Sequence, residues 1–170
     1  SSKDLDWDLI FGASCRSGVD LASQFGFLHQ WRLNREKGDG TLTKRKKQGS
    51  YYTPNRVVEI LVDEAEDWLR QNAGTDYARV CDPACGSGQF LVVWLERRMQ
   101  RWNTDSECPV EGCLYGVDRD PIAIWMARLS LWGTAALCGK LTNVEIIRSQ
   151  LRVGDALLGG AWEAPDSPPS

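Results

Sequence analysis

A Gly-rich turn between two apolar segments constrains the fold of this chain more than any other feature. The stretch VCDPACGSGQFLVVW (80–94) runs from a short apolar segment through the turn ACGSGQF into a longer apolar segment. The short segment has the composition of a buried strand, and the longer one has the length of a helix. A strand, a Gly-rich turn and a helix in this order are typical of an α/β sheet in which backbone groups of the turn hold a ligand.

Regular elements on both sides of the turn extend this pattern. The helix after YYTP is predicted to begin at Pro54, with Thr53 as its N-cap. Its apolar face is predicted to contain Val57, Val58, Leu61, Val62, Ala65 and Trp68. Further helices are predicted over 88–102 and 121–141, and strands over ARVCD (78–82), CLYGVD (113–118) and NVEIIRS (143–149). This alternation predicts an α/β fold with three parallel strands and right-handed βαβ connections.

The chain divides into three regions. Residues 1–50 are predicted to be an N-terminal helical segment and a basic linker, 51–158 the α/β part, and 159–170 an irregular tail. In the first region, apolar residues at helical intervals predict a helix over 20–35, and they are Leu21, Phe25, Leu28 and Trp31. The four consecutive cations at 44–47 fit either a solvated loop or a segment that contacts DNA phosphates.

Composition excludes some classes of protein. The net charge is −3, so the chain as a whole does not attract nucleic acid. The sequence has no run of 18 apolar residues and no signal-peptide pattern, and we expect a cytoplasmic protein without a membrane span.

Cysteine, histidine and tryptophan side chains suggest packing rather than chemistry. The six cysteines fit free, mostly buried thiols better than a zinc site, and Cys81 is expected to point into the core. His29 has no partner set and is expected to be structural or exposed. Packing on helical faces is expected to explain four of the tryptophans, which are Trp68, Trp94, Trp125 and Trp132.

Acidic residues at the predicted strand ends indicate what the turn holds. No Lys-Ser/Thr follows the glycines, and Leu91 stands where a dinucleotide fingerprint has its third glycine, so neither phosphate-binding motif is present. Asp82 would attract an amino group, Asp118 is placed to accept from both hydroxyls of a ribose, and Asp155 can accept from an adenine amine. An amino acid, a ribose and adenine together describe S-adenosylmethionine. Surface acids in an unrelated α/β domain are the alternative.

Four motifs carry a resemblance to a known family. DPACGSGQFL, YYTP before it, and GVDRDPIAIWMARLSLW and GDALL after it resemble the N6-adenine DNA methyltransferases of restriction-modification systems. The resemblance covers residues from about 48 to 158. It implies a Rossmann-like S-adenosylmethionine-dependent methyltransferase fold, S-adenosylmethionine as cofactor, and duplex DNA as the partner of the full-length enzyme.

The resemblance also implies roles for single residues. Residues 52 and 53 contact the methionine part of the cofactor, Asp82 bonds near its amino group, and Asp118 holds the ribose. Arg119 packs beside the adenine, and Asp155 bonds the adenine amine. The implied cofactor-binding residues are Tyr52, Thr53, Asp82, Ala84, Cys85, Gly86, Gly88, Asp118, Arg119, Asp155 and Ala156.

One motif of the family has no match. The family orients the target amine with Asn or Asp, two prolines and an aromatic residue, whereas SPPS (167–170) has neither the strong acceptor nor the aromatic. We therefore expect a catalytically incomplete chain whose DPACG strand lies at an unpaired sheet edge. This edge is expected to self-associate, to recruit another segment or to be covered by the N-terminal region. A non-catalytic scaffold and a methyltransferase for RNA or protein are the alternatives, although YYTP and GVDRDP favour DNA.

Overall fold

Three short parallel strands form the sheet at the centre of the fold. The computed structural model describes residues 17–35, 53–73, 79–101, 110–140 and 142–158. The strands are β1 (Val80–Asp82), β2 (Leu114–Asp118) and β3 (Leu151–Val153), in the spatial order β1-β2-β3. Val80 lies opposite Leu114, and Gly116 lies opposite Leu151. The predicted α/β fold with three parallel strands is confirmed.

Five helices accompany the sheet. They are α1 (Gly18–Arg35), α2 (Asn55–Ala73), α3 (Gln89–Arg101), α4 (Pro121–Leu137) and α5 (Val144–Gln150). Helix α3 connects β1 to β2, and α4 and α5 connect β2 to β3. Helix α1 packs against α3 and α4, and α2 packs against α3. None of the helices in the described ranges is long and apolar enough to cross a membrane.

The middle strand has no side chain at Gly116, and this allows the Gly-rich turn to pack close to the sheet. A Cβ atom at Gly116 would lie 2.7 Å from a methyl group of Leu151 and 3.0 Å from both the Cys85 sulfur and a methyl group of Leu91. Three neighbouring elements therefore meet where a side chain would stand. The core continues around this point with buried residues from α3, α4 and the strands, including Val92, Leu95, Leu114, Ile124 and Leu131.

The predicted strand NVEIIRS (143–149) is wrong, because this segment forms α5 and the third strand is LRV (151–153). The Asn143 side chain accepts a hydrogen bond from the Glu145 N–H at 2.9 Å and caps the helix. Ile147 and Gln150, three residues apart, face the interior. Gln150 donates from its amide nitrogen to two buried carbonyl oxygens, which fixes the end of the helix before β3 begins.

Helix α2 begins one residue later than predicted and buries a narrower face. The Pro54 carbonyl accepts from the N–H groups of Val57 and Val58, so the first helical residue is Asn55. Only two of the six predicted face residues, Val58 and Val62, are buried. The third buried position is Glu66, which pairs with Arg101 of α3. This helix meets α3 along one narrow stripe, so the rest of its apolar surface is exposed.

Helix α1 forms as predicted but with a different face inward. Its buried residues are Gly18, Ala22, Gly26, His29 and Leu33. None of the four large residues on which the helix was predicted is among them, and three of the buried residues stand one position after such a residue. Small residues face inward because α1 lies very close to α4. A Cβ atom at Gly18 would overlap the Thr134 side chain, and one at Gly133 would lie 2.5 Å from a methyl group of Leu21.

Several side chains predicted to be in the core lie at the surface. Trp94 is buried, but Trp68, Trp125 and Trp132 are 62%, 58% and 40% exposed. The expected position of Cys81 in the core is also wrong, because its side chain is exposed on β1, which pairs only with β2 among the described strands. Of the four described cysteines, all of them free thiols, Cys85 alone is buried. No three His, Cys, Asp or Glu side chains of the described ranges are grouped to hold a metal ion.

Some predictions fall outside the described residues. The basic run 44–47, Tyr52, Cys15, Cys108 and the tail 159–170 are among them.

Candidate functional site

The Asp118 carboxylate is the centre of the site at the carboxyl end of the sheet. Its Oδ2 accepts from the Gly86 N–H at 2.9 Å, and its Oδ1 accepts from the Asp120 N–H at 2.8 Å. The Asp118 carbonyl oxygen accepts from the Gly154 N–H at 3.0 Å. One residue thus joins the three loops that follow β1, β2 and β3. Each carboxylate oxygen keeps a lone pair for a further donor such as a ribose hydroxyl.

Asp82 places a second carboxylate close to Asp118. Its Oδ1 accepts from the Ala84 N–H at 3.0 Å, which bends the chain into the turn. Burial of the carboxyl raises the pKa of Asp82, and repulsion from Asp118 adds to this against the opposing Ala84 hydrogen bond. No cation in the described part of the chain forms an ion pair with either acid. A positively charged group would therefore be stabilised here.

The two glycines of the turn have different surroundings. Gly86 has a φ of 53°, and a Cβ atom there would meet nothing within 4 Å, so a ligand can approach its backbone closely. Gly88 has a φ of 87°, and its Cβ atom would lie 3.1 Å from Ala127 of α4. Gly86 thus leaves room at the surface of the turn, and Gly88 lets the start of α3 pack against α4.

A small cleft lies between α1 and the Gly-rich turn. Its volume is about 80 Å³. Pockets for drug-sized ligands are ~300–1,000 Å³, so this cleft can take only one end of such a ligand. Four of the predicted residues line it, together with side chains of α1 and α3. The lining residues are Gly26, His29, Gln30, Thr53, Ala84, Cys85, Gly86, Ser87, Gln89 and Phe90.

Asp155 lies at the start of the turn after β3. Its Oδ1 accepts from the N–H groups of Leu157 and Leu158, at 3.0 and 3.2 Å. Its Oδ2 lies 3.4 Å from Nε of Arg119, whose side chain is largely exposed. Ala156 is exposed beside them. The structure thus brings the predicted pair Arg119 and Asp155 together, and an incoming amine would share Asp155 with groups of the turn.

Cys85 is a buried residue of the turn, and its thiol has low reactivity. Its N–H donates to the Val117 carbonyl oxygen at 3.0 Å, which ties the turn to β2. Burial raises the pKa of the Cys85 thiol well above its ordinary value, and the charges of Asp82 and Asp118 raise it further. The neutral thiol is a poor nucleophile, so this cysteine acts by packing.

Sequence reasoning missed two groups of polar residues around the site. Asn55 of α2 accepts through Oδ1 from the Ser23 hydroxyl of α1 at 2.9 Å and from the Gln89 amide of α3. The second group is His29 and Arg32 of α1, which both contact Oδ2 of Asp120. The expectation that His29 has no partner is therefore wrong.

The predicted site residues thus form two adjoining sets. Thr53, Ala84, Cys85 and Gly86 line the cleft, and the acids lie along the strand ends. Gly86 belongs to both sets because its N–H donates to Asp118.

Comparison with known proteins identifies relatives of the chain. The methylase subunit of the type I restriction enzyme MjaIX from Methanocaldococcus jannaschii is 33% identical over 107 residues, which are 63% of this chain and 16% of that protein. The type II methyltransferase M.MamI from Microbacterium ammoniaphilum is 33% identical over 125 residues, which are 72% of this chain and 32% of that protein. The chain therefore spans no more than about a third of the length of these relatives.

Solved structures share the fold. A chain of the DrdV–DNA complex, determined by cryo-electron microscopy, superimposes with a TM-score of 0.62 at 15% identity, over 85% of this chain and 14% of that one. The nuclease-deletion mutant of the Type ISP restriction-modification enzyme LlaGI, in complex with a DNA substrate mimic, gives a TM-score of 0.55 at 15% identity. The second match covers 89% of this chain and 16% of that one.

Residues 39–159 match the N-6 DNA methylase family. This region contains the Gly-rich turn and the three acids at the strand ends. The chain therefore belongs to the N-6 DNA methylase family, together with methyltransferases of type I and type II restriction-modification systems.

Proposed function

We propose that this chain binds S-adenosylmethionine at the carboxyl end of its sheet, as the cofactor-binding part of a DNA adenine-N6 methyltransferase of a restriction-modification system. The observation that carries the proposal is the pair of neighbouring carboxylates, Asp82 and Asp118, beside the backbone of Gly86. When bound, S-adenosylmethionine supplies the methyl group that the full enzyme transfers to adenine.

The residues present fit this cofactor in charge and in space. Asp82 suits a cationic amino group, because a positive charge offsets the burial and repulsion that raise its pKa. Asp118 keeps acceptor capacity for the two ribose hydroxyls. The cleft beside Thr53 has room for the amino-acid end of the cofactor, and the pair of Arg119 and Asp155, which follow β2 and β3, is proposed to contact the adenine.

We expect the 170 residues to bind the cofactor without methylating DNA. They contain no Asn- or Asp-Pro-Pro-aromatic sequence, which supplies the acceptor and the stacking ring for a flipped adenine. Duplex DNA is therefore proposed as a partner of the full-length enzyme. An assay for methyl transfer to duplex DNA, carried out beside the binding measurement, tests the expected lack of activity separately.

Calorimetric titration with S-adenosylhomocysteine tests cofactor binding. We expect heat of binding at micromolar to high-micromolar ligand, with one site per chain. Asp82→Asn should weaken this binding, because it removes the charge but keeps an oxygen to accept from the Ala84 N–H. No heat from correctly folded protein at high-micromolar ligand would rule out the proposal.

A second candidate function, a protein-binding module built on the same fold, rests on a different observation. Helices α4 and α5 expose Trp125, Trp132 and Val144 around a groove of about 390 Å³. Exposed apolar patches of this kind are typical of protein interaction sites. Sedimentation velocity of the unmodified chain and of Trp125→Ser distinguishes the two candidates. Self-association that Trp125→Ser abolishes, in a chain that binds no nucleoside, favours the protein-binding module.

A further inference from the structure

The Asp120 carboxylate joins the N-terminal helix to the start of α4. Its Oδ1 accepts from the Ile122 N–H at 2.9 Å and caps α4, while its Oδ2 lies 3.0 Å from Nε2 of His29 and also contacts Arg32. An ionised carboxylate only accepts hydrogen bonds, so Nε2 of His29 carries the proton of this contact. His29 is buried, at 5% exposure. The contact between His29 and Asp120 is therefore largely shielded from solvent.

Close packing fixes the height of α1 above Asp120. The space at Gly18 is filled by Thr134 of α4, and that at Gly133 is filled by Leu21 of α1. At the start of α1, the Val19 N–H donates to a Glu96 carboxylate oxygen of α3 at 3.1 Å. The helix is thus attached at its beginning to α3 and α4 and, eleven to fourteen residues later, to Asp120.

Asp120 passes this connection to the proposed ribose-binding residue. Its backbone N–H donates to Oδ1 of Asp118 at 2.8 Å, and Oδ2 of Asp118 accepts from the Gly86 N–H at 2.9 Å. A continuous series of hydrogen bonds therefore runs from His29 through Asp120 and Asp118 to Gly86. Asp118 is held on both oxygens, and one of the two restraints depends on where Asp120 lies.

We infer that His29 and Arg32 are positioning residues for ribose recognition: they hold Asp120, and through its backbone N–H they set the orientation of the Asp118 carboxylate. The inference rests on the proposed function, because it concerns the same ligand. It assigns the N-terminal helix to the cofactor site, whereas the sequence placed that helix outside the cofactor-binding part. Loss of the His29 contact should allow the Asp118 carboxylate to rotate without unfolding the chain.

Selectivity for a ribose hydroxyl distinguishes positioning from general structural support. The probes are S-adenosylhomocysteine and its 2′-deoxy analogue, titrated into the full chain by calorimetry. We expect the unmodified chain to bind the ribose form about tenfold more tightly, since hydrogen bonds to a charged group are strong. His29→Ala should reduce this ratio to less than about threefold, because a displaced Asp118 carboxylate no longer accepts a well-aligned hydrogen bond from the 2′-hydroxyl.

Rescue and control variants make the test specific. His29→Gln supplies an amide donor and should restore most of the ratio. Phe27→Ala removes a half-exposed ring from the same helix and should leave the ratio unchanged. If His29→Ala does not fold, Arg32→Lys replaces it. This variant should lower the ratio below that of the unmodified chain, and an unchanged ratio would contradict the inference.

Hydrogen exchange gives a readout that needs no ligand. The amides of Gly86 and Asp120 should exchange faster in His29→Ala, while that of Val92, bonded within α3, should not change. An unchanged selectivity ratio in His29→Ala, with unchanged exchange at Gly86, would overturn the inference and leave the proposed function intact. Failure of the unmodified chain to bind either nucleoside would overturn both.

Discussion

The backbone N–H of Gly86 donates to the Asp118 carboxylate at 2.9 Å, across 32 residues of sequence. This bond joins the turn that follows β1 to the acid that ends β2. A parallel sheet brings the carboxyl ends of its strands to one edge, and here a hydrogen bond fixes their relative position.

Replacement of Asp118 by alanine should weaken S-adenosylhomocysteine binding by about tenfold or more, since hydrogen bonds to a charged group contribute about 1.5–3 kcal/mol. It also leaves the N–H groups of Gly86 and Asp120 without their acceptor. Calorimetric titration measures the loss. Asp67→Ala removes a surface acid of α2 and serves as the control. Equal effects of the two substitutions would contradict a role for Asp118 in binding.

The affinity for S-adenosylhomocysteine should depend on pH through Asp82. Burial raises the pKa of this carboxyl, so ionising it costs folding energy: its contribution to stability is full below the ordinary aspartate pKa and is lost as pH rises through the raised value. A bound ammonium group reverses the balance, and binding should release a proton and strengthen with pH across that window. Titrations in buffers of different ionisation enthalpy measure the proton, and Asp82→Asn should abolish its release.

Substitution Gly88→Ala should destabilise the fold by more than backbone strain alone. A residue with a side chain at positive φ costs about 1–2 kcal/mol. The new methyl group would also lie 3.1 Å from Ala127, and overpacking of this kind adds about 1–3 kcal/mol. Gly139→Ala is the matched control, because Gly139 also has positive φ but open space around it. Urea unfolding of both variants checks the difference, and equal midpoints would exclude the packing contribution.

Stability should fall on acidification through Asp120. Burial of this carboxyl would raise its pKa, but the hydrogen bonds from His29 and the Ile122 N–H, together with the charge of Arg32, outweigh burial and lower the pKa. The stabilisation is therefore present above the ordinary aspartate pKa and is lost as pH falls through the lowered value. In the unmodified chain the urea midpoint should therefore fall as the pH is lowered. In Asp120→Asn this fall should be absent. Asp63→Asn, which breaks an exposed pair with Arg97, should retain it.

Substitution Asn143→Ala should cost about 1 kcal/mol, the usual value of a lost N-cap. The Asn143 side chain accepts from the Glu145 N–H at the start of α5, so its removal frays the helix that precedes β3. Thermal unfolding measures the effect. Asn72→Ala provides the comparison, because Asn72 lies near the end of α2 and caps no helix start. A silent Asn143→Ala would contradict the assignment of residues 144–150 as a capped helix.

The order of elements around the Gly-rich turn could be predicted from the sequence, because strong local signals mark them. Asp120 before Pro121 starts α4, and the segments 80–82 and 114–118 form strands, of which only the second is mostly buried. The segment 143–149 was misassigned because its apolar residues fit both a strand and a short helix. Its cap, Asn143, was the signal for the helix, and the strand it precedes is only three residues long.

Burial was harder to predict than helicity. In α1 and α2 the helical spacing was read from the large apolar residues, but the neighbouring helices accept small residues at Gly18 and Gly26 and a charged one at Glu66. Which face turns inward depends on how closely another helix approaches, and that distance is not encoded locally. The contact of His29 with Asp120 joins residues 91 positions apart, so no local sequence pattern predicts it.

Gly116 does not line the cleft, yet the packing beneath the Gly-rich turn depends on it. The sulfur of Cys85, a methyl group of Leu91 and a methyl group of Leu151 share the volume in which its side chain would stand. Even a single added carbon would require the ends of these buried side chains, which belong to the turn, the helix after it and the third strand, to shift. A variant at this position would resemble a binding-site mutant in a functional screen, although the substituted residue does not line the cleft.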